Sequence, residues 1–227
     1  MCGVFGVINY SNLNKSKFHE SIRLLNHRGP DSLKDKIFTK VALGFTRLAI
    51  QDLSSAGDQP MSHPLASIHI VFNGEIYNYR ILREELKKEG AHFNTQTDTE
   101  IILNAYHIWG LEKTLEKMEG MFSFGLYDES KNLVYLVRDR FGMKPMFYSR
   151  FQKSLVFASE IKSILNYTQH RQLNFLNSLN PIFTTGLSPR GTTMFDGVEQ
   201  LEQGHYLRFD LMEETYRIKE YFHLSDW

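Results

Sequence analysis

The residues best able to do chemistry are few and lie far apart in the chain. Cys2 is the only cysteine among 227 residues, with Met1 before it and Gly3 after it. A residue as small as cysteine at position 2 permits removal of Met1, which leaves a thiol and a free α-amine on one residue. A thiol of ordinary pKa ~8.5 beside an amine of ~8 is a nucleophile that carries its own base and needs no distant histidine. With Met1 attached, that nitrogen is an amide and cannot act as a base. The competing reading of Cys2 is an inert buried thiol, the commoner fate of a lone cysteine. Four polar blocks lie downstream: Asn26 to Ser32, Gly44 to Ile50 with Arg47, Phe72 to Asn78 with Asn73-Gly74-Glu75, and Thr97-Asp98-Thr99-Glu100. Taken singly they read as a helix exit, a strand with one exposed arginine, a hairpin turn and a helix capping box.

The elements that would position these residues are legible in outline. Apolar residues make up 42% and aromatics 13%, which predicts a packed core in a single domain over 1–227. Short strands are expected at Val4 to Ile8, Gly44 to Ile50 and Ser67 to Phe72, the last ending in a turn at Asn73-Gly74. Helices are expected at Lys17 to Leu25, Asn78 to Lys88 closed by Gly90, Glu100 to Trp109 and Glu160 to Leu165. Met121 to Tyr127, Leu133 to Arg138, Met146 to Ser149 and Leu155 to Ala158 read as a meander, with later strands at Thr192 to Phe195 and His205 to Phe209. The stretch 168–180 is more polar and gives no firm element. Grouped helices and hairpins favour antiparallel sheets covered by helices over a doubly wound parallel sheet.

Other function classes are disfavoured. Lys plus Arg and Asp plus Glu both count 26, so no overall field attracts nucleic acid or an anionic membrane. No apolar run approaches the ~20 residues of a membrane span, and the N-terminus lacks a signal-peptide pattern. A cytoplasmic setting is the default expectation, in keeping with one unpaired cysteine. Nine histidines without ligand spacing give no metal site.

The order of the blocks carries a resemblance that no single block does. MCGVFG (1–6), NHRGPDS (26–32), LGFTRLAIQDLS (43–54), GDQPM (57–61), FNGEIYNY (72–79), TDTE (97–100), EGMFSFGLYD (119–128), RDRFGMKPMFY (138–148) and FASEIKSIL (157–165) occur in the order found in class II glutamine amidotransferases. The chain resembles most the glutaminase half of glutamine-hydrolysing asparagine synthetases, most strongly over 1–165 and more weakly to His205. The resemblance implies an α+β fold, the four-layer α/β/β/α sandwich of N-terminal nucleophile hydrolases with two mainly antiparallel sheets. Cys2 is then expected at the mouth of a cleft between loops carrying the other site residues. The resemblance also implies roles. Cys2 is the nucleophile with its α-amine as proton shuttle, and Arg47 binds the α-carboxylate of glutamine. The Asn73 side chain and the Gly74 N–H form the oxyanion hole, and Glu75 and Asp98 hold the α-ammonium. By residue type Arg138, Asp139, Arg140 and Lys144 read as a solvated hairpin tip, and the resemblance implies that this segment is mainly structural around the site, while His27, Arg28 and Asp31 order its wall.

The Ser-Gly-Gly-x-Asp-Ser phosphate loop of the ATP-dependent synthetase domain is missing from the sequence. ATP and Mg are therefore expected only in an absent synthetase domain or subunit, with no cofactor in this chain. Two further departures are Gln203 in place of a common proline and a poor match over 166–190. The leading expectation is a glutaminase supplying ammonia for amidation of aspartate or a similar carboxylate. The alternatives are a non-catalytic glutamine-binding regulatory or assembly subunit, or a component serving a sugar or peptide acceptor. A homo-oligomer is left open.

Overall fold

The computed structural model describes residues 1–50, 52–175, 179 and 190–226. In chain order the elements are β1 (Gly3–Ile8), α1 (Lys15–Arg23), β2 (Ser32–Ile37), β3 (Val41–Arg47), β4 (Met61–Ser62), β5 (Ile68–Ile76), α2 (Tyr79–Lys88), α3 (Thr99–Trp109), α4 (Leu111–Lys117), β6 (Gly120–Asp128), β7 (Leu133–Arg138), β8 (Phe147–Phe151), β9 (Ser154–Ala158), α5 (Ile161–Thr168), β10 (Val198–Gln200), β11 (His205–Asp210) and β12 (Thr215–Glu220). Two six-stranded sheets result, ordered β10-β8-β9-β1-β3-β2 and β12-β11-β7-β6-β5-β4, with every strand pair antiparallel.

Strand alternation builds the layers. Val4 and Ile8 of β1 face inward and pack with Val71, Val134, Leu136 and Leu207 of the other sheet. Phe5 and Val7 of the same strand face outward to Phe18 and Ile22 of α1 and Ile164 of α5. On the far side, Ile70, Phe124 and Leu126 meet Leu82 and Leu86 of α2 and Ile101, Ile102 and Ala105 of α3. Period-two strands between period-3.6 helices therefore give the expected α/β/β/α sandwich, with three apolar layers. Asn14 caps α1 by accepting from Lys17 N (3.1 Å), and Gly90 takes a positive φ of 92° just past α2.

Four sequence expectations are corrected. The meander is two hairpins in different sheets: β6 pairs β7 in one and β8 pairs β9 in the other, the chain crossing over at 139–146. Thr97 and Glu100 form no capping box, because the Glu100 carboxylate accepts from the N–H groups of Asn94 and Thr95 (both 2.8 Å). Phe195 makes an isolated bridge to Leu173 where a strand was expected. The expectation for 168–180 falls partly outside the described residues, as does much of the weakly matching 166–190.

The fourth correction bears on the site. Asn73-Gly74 is no turn: β5 runs straight through both, with Asn73 opposite Ser123 and Gly74 opposite Phe122. Glycine is needed there for proximity, since a Cβ would lie 2.4 Å from Met121 O and 2.7 Å from Phe122 Cα. Both obstacles are backbone, so the strands themselves must part. Gly74→Ala is expected to cost about 1–3 kcal/mol in chemical denaturation, and an unchanged midpoint would contradict this close approach.

Candidate active site

Cys2 precedes β1, one residue beyond the Gly3–Thr46 pair, which sets it beside the end of β3. Its Sγ lies 3.4 Å from the Leu48 N–H that donates to it and 3.7 Å from Leu48 O. Burial pushes the thiol up, partly offset by the Leu48 contact and by the charges of the N-terminus, Arg47 and Arg28. The Cys2 carbonyl accepts from Arg28 Nε (2.9 Å), and Arg28 Nη1 pairs with Glu160 (3.0 Å). Burial alone would raise the Glu160 carboxyl, yet hydrogen bonds from Arg28, Lys162 and His27 outweigh it and bring it down to about 2. An ionised Glu160 thus fixes Arg28, which fixes the backbone of the nucleophile. Asp31 accepts from Ala49 N (2.8 Å) and holds the chain just past Leu48. These contacts match the wall-ordering expected of His27, Arg28 and Asp31.

The opposite wall comes from β5. Alternate N–H groups of this strand point away from β6. Phe72 N donates to Gln59 Oε1 (2.6 Å) and Ile76 N donates to Asp98 Oδ2 (2.9 Å). Gly74 N–H lies between them on the same side, because the N–H and C=O of its partner Phe122 are both turned to Asp139. Among the described residues no side chain or loop accepts from Gly74 N–H. Asn73 is 1% exposed, and its Nδ2 is buried without an acceptor. Two adjacent donors are therefore left unspent, whereas buried polar groups are normally paired.

A cavity of about 180 Å³ joins the two walls, lined among others by Cys2, Arg47, Asn73, Gly74, Glu75 and Asp98. All six sequence-predicted residues therefore meet in one place. They do so from a strand start (Cys2), a strand end (Arg47), a strand interior (Asn73 to Glu75) and a helix N-cap (Asp98), rather than from loops. Arg47 is spent locally: Nη1 pairs with Asp58 (2.9 Å) and donates to Ser54 O (2.6 Å), and Nη2 donates to Asp52 O. Gly57 leaves room for it, since a Cβ there would lie 2.3 Å from Nη2. The matching block GDQPM had signalled this loop, but not that Gln59 supports β5 or that Asp58 holds Arg47. Leu48, which touches the thiol through its backbone, left no side-chain signal.

Lys144 also lines the cavity and is 6% exposed, and Asp139 is fully buried. Asp139 and Lys144 are not solvated as expected, because backbone N–H groups converge on the buried Asp139, while Phe141 and Met143 of the same segment stand exposed. No group of histidine, cysteine and carboxylate side chains suited to a metal ion occurs among the described residues. Nor is any described helix long and apolar enough to cross a membrane.

Burial, with help from the Glu75 charge, raises Asp98 from 3.8 to about 6, opposed by the Ile76 N–H. A carboxyl raised on folding binds a proton more tightly in the native state, so stability falls as pH rises from about 4 to 6. Asp98→Asn keeps the acceptor for Ile76 N without the charge. It is expected to match the wild type near pH 4 and to exceed it by up to about 3 kcal/mol at pH 7. Parallel denaturation curves at all pH values would contradict the buried charge.

The fold matches glutamine phosphoribosylpyrophosphate amidotransferase from Bacillus subtilis, complexed with ADP and GMP, at TM-score 0.70 and 18% identity over 97% of this chain and 49% of that one. Asparagine synthetase (glutamine-hydrolyzing) 2 of Bacillus subtilis is 36% identical over all of this chain, which spans 31% of that protein. A putative asparagine synthetase (glutamine-hydrolyzing) 2 of Methanocaldococcus jannaschii is 33% identical, again over the whole chain and 47% of its own length. The chain thus spans a third to a half of these two relatives. The family model described as a glutamine amidotransferase domain matches residues 1–222. With that match and a 36% identical relative covering its full length, the chain belongs to the class II glutamine amidotransferase family.

Proposed function

We propose that this chain is a glutaminase: with Met1 removed, Cys2 attacks the side-chain amide of glutamine and releases ammonia. The observation that carries the reading is the pair of unspent donors, Asn73 Nδ2 and Gly74 N–H, in the cavity that holds the thiol. Donors aimed into a water-poor site stabilise an oxyanion as its charge develops.

The thiol proton passes to the α-amine as Sγ bonds to the amide carbon, and the carbonyl oxygen becomes an oxyanion between Asn73 and Gly74. Collapse breaks the C–N bond. The α-ammonium returns its proton to the departing nitrogen, and ammonia leaves a γ-glutamyl thioester on Cys2. Water, deprotonated by the same amine, adds to the thioester carbon, the C–S bond breaks to give glutamate, and the α-ammonium returns its proton to the departing thiolate. Arg47 binds the α-carboxylate through its planar fork, exchanging for it the Ser54 and Asp52 carbonyls that its terminal nitrogens otherwise hold while Asp58 keeps the guanidinium in place. Glu75 and Asp98 hold the α-ammonium.

The ammonia is used by an ATP-dependent synthetase domain or subunit that amidates aspartate or a similar carboxylate. The names of the relatives support this reading, and ATP and Mg belong to that partner. A cytoplasmic setting is part of the same proposal. The test is intact mass together with glutamate release from glutamine. Loss of Met1 with steady glutamate release is expected. A processed chain that binds glutamine without turnover would overturn the enzyme reading in favour of a regulatory subunit, and one that does neither would leave the fold without the function.

A further inference from the structure

The 138–145 segment is held from both sides at one residue. The fully buried Asp139 accepts from the N–H groups of Phe122 (3.2 Å), Phe141 (3.1 Å), Met143 (2.9 Å) and Lys144 (2.9 Å). Arg138 answers from the other side. Its Nε donates to Lys144 O (2.9 Å), and its terminal nitrogens donate to Leu201 O (2.7 Å) and Gly142 O (2.8 Å). Ser123, opposite Asn73 in the sheet, donates to Pro145 O (3.1 Å). Both the N–H and the C=O of Lys144 are thereby fixed by charged side chains, and the loop is tied to the strand facing Asn73.

The side chain so presented enters the Cys2 cavity. Lys144 is 6% exposed, and no carboxylate of the described residues pairs with it. Its Nζ donates to Met1 Sδ at 3.2 Å. A thioether is a weak acceptor for a buried cation. The ammonium thus touches the side-chain end of the residue whose removal would expose the amine of Cys2.

We propose that Lys144 is a further residue of this site: a buried cation that faces the Cys2 α-amine once Met1 is gone and holds that amine as the free base. The inference deepens the glutaminase reading and takes its functional meaning from it. An ammonium beside the amine opposes a second positive charge in a water-poor cavity. A neutral amine accepts a hydrogen bond from Lys144 Nζ, whereas a protonated one cannot. Both effects keep a lone pair available at neutral pH, where an ordinary terminal amine of pKa ~8 is mostly protonated. The other charged groups facing the N-terminus are Arg28, Arg47, Asp52, Glu75 and Asp98. Arg28 is paired with Glu160 and Arg47 with Asp58, so among these described cations Lys144 alone lacks a carboxylate.

The single cysteine makes the test direct. Carbon-13 labelling of cysteine gives NMR signals from Cys2 alone, and these report its amine titration without requiring turnover. In chains whose mass confirms loss of Met1, the amine is expected to titrate about one pH unit higher in Lys144→Met than in the wild type. Lys144→Arg is expected to restore the wild-type value, and the acidic limb of kcat/KM for glutamate release moves with the amine. Lys144→Gln serves the same comparison should the methionine variant fail to fold. An amine titration unmoved by loss of the charge overturns the proposal, even if every variant loses activity. A wild type that releases no glutamate while the amine still shifts overturns the glutaminase reading and leaves the effect of Lys144 standing. A chain that keeps Met1 overturns both.

Discussion

Cys2→Ala is expected to lower glutamate release by about four orders of magnitude or more, with the fold and the loss of Met1 unchanged. The substitution isolates chemistry from processing, because alanine at position 2 is also small enough for Met1 to be removed. A denaturation midpoint separates lost chemistry from lost stability, since Sγ contacts Leu48 N and O, at 3.4 and 3.7 Å, and Cys2 also packs against the core between the sheets. The thiol is pushed up by burial, and the Leu48 contact and nearby cations only partly offset this. A base is therefore needed at neutral pH, and no histidine is found among the described residues lining the cavity. A chain that retains Met1 is expected to be as inactive as the alanine variant, since its nitrogen is then an amide. Glutamate release comparable to wild type from either protein, with mass confirming its N-terminus, would remove Cys2 from the mechanism.

The parts of the site that were legible in the sequence are those written in side chains. Cys2, Arg47, Asn73, Glu75 and Asp98 declare their chemistry by type, and the ordered blocks declare their company. Parts written in backbone stayed hidden. Leu48 touches the thiol through its main chain, and the meaning of Gly74 depends on how close Met121 O comes across the sheet. Asn73-Gly74 misled because a dipeptide favoured in turns is equally suited to a strand that needs a side-chain donor and no Cβ. RDRFGMKP misled for a related reason. Four charged residues in eight read as a solvated tip, yet Asp139 and Arg138 are spent on loop N–H and C=O groups and Lys144 is buried by them. Antiparallel sheets covered by helices were legible in the grouped helices and hairpins, whereas the four-layer order came from the resemblance. Which hairpin joined which sheet was not, because that choice rests on contacts between β1 and strands more than a hundred residues away. The short strand β2 is largely exposed and SLKDKI lacks the alternation that reveals a half-buried strand, whereas in β12 only Tyr216 and Ile218 alternate, too short a run to decide.

Asn73→Ala is expected to lower kcat for glutamate release by about 10²–10³-fold, with little change in KM for glutamine. The asymmetry follows from when the interaction forms. A neutral amide oxygen in the bound substrate gains modestly from a donor, while a full negative charge in the tetrahedral intermediate gains far more. Removing the donor therefore costs the transition state and spares the ground state. Stability supplies an independent check. Asn73 Nδ2 is buried without an acceptor, so the folded protein already bears the desolvation of a donor that forms no bond. Alanine removes that burden while giving up some packing. The unfolding free energy is accordingly expected to stay within about 1 kcal/mol of wild type. A residue kept for the fold would show the reverse pattern: a large loss of stability, with kcat falling only as far as the folded fraction does. A rise in KM at constant kcat would instead make Asn73 a substrate-binding group, and the oxyanion would need another donor beside Gly74.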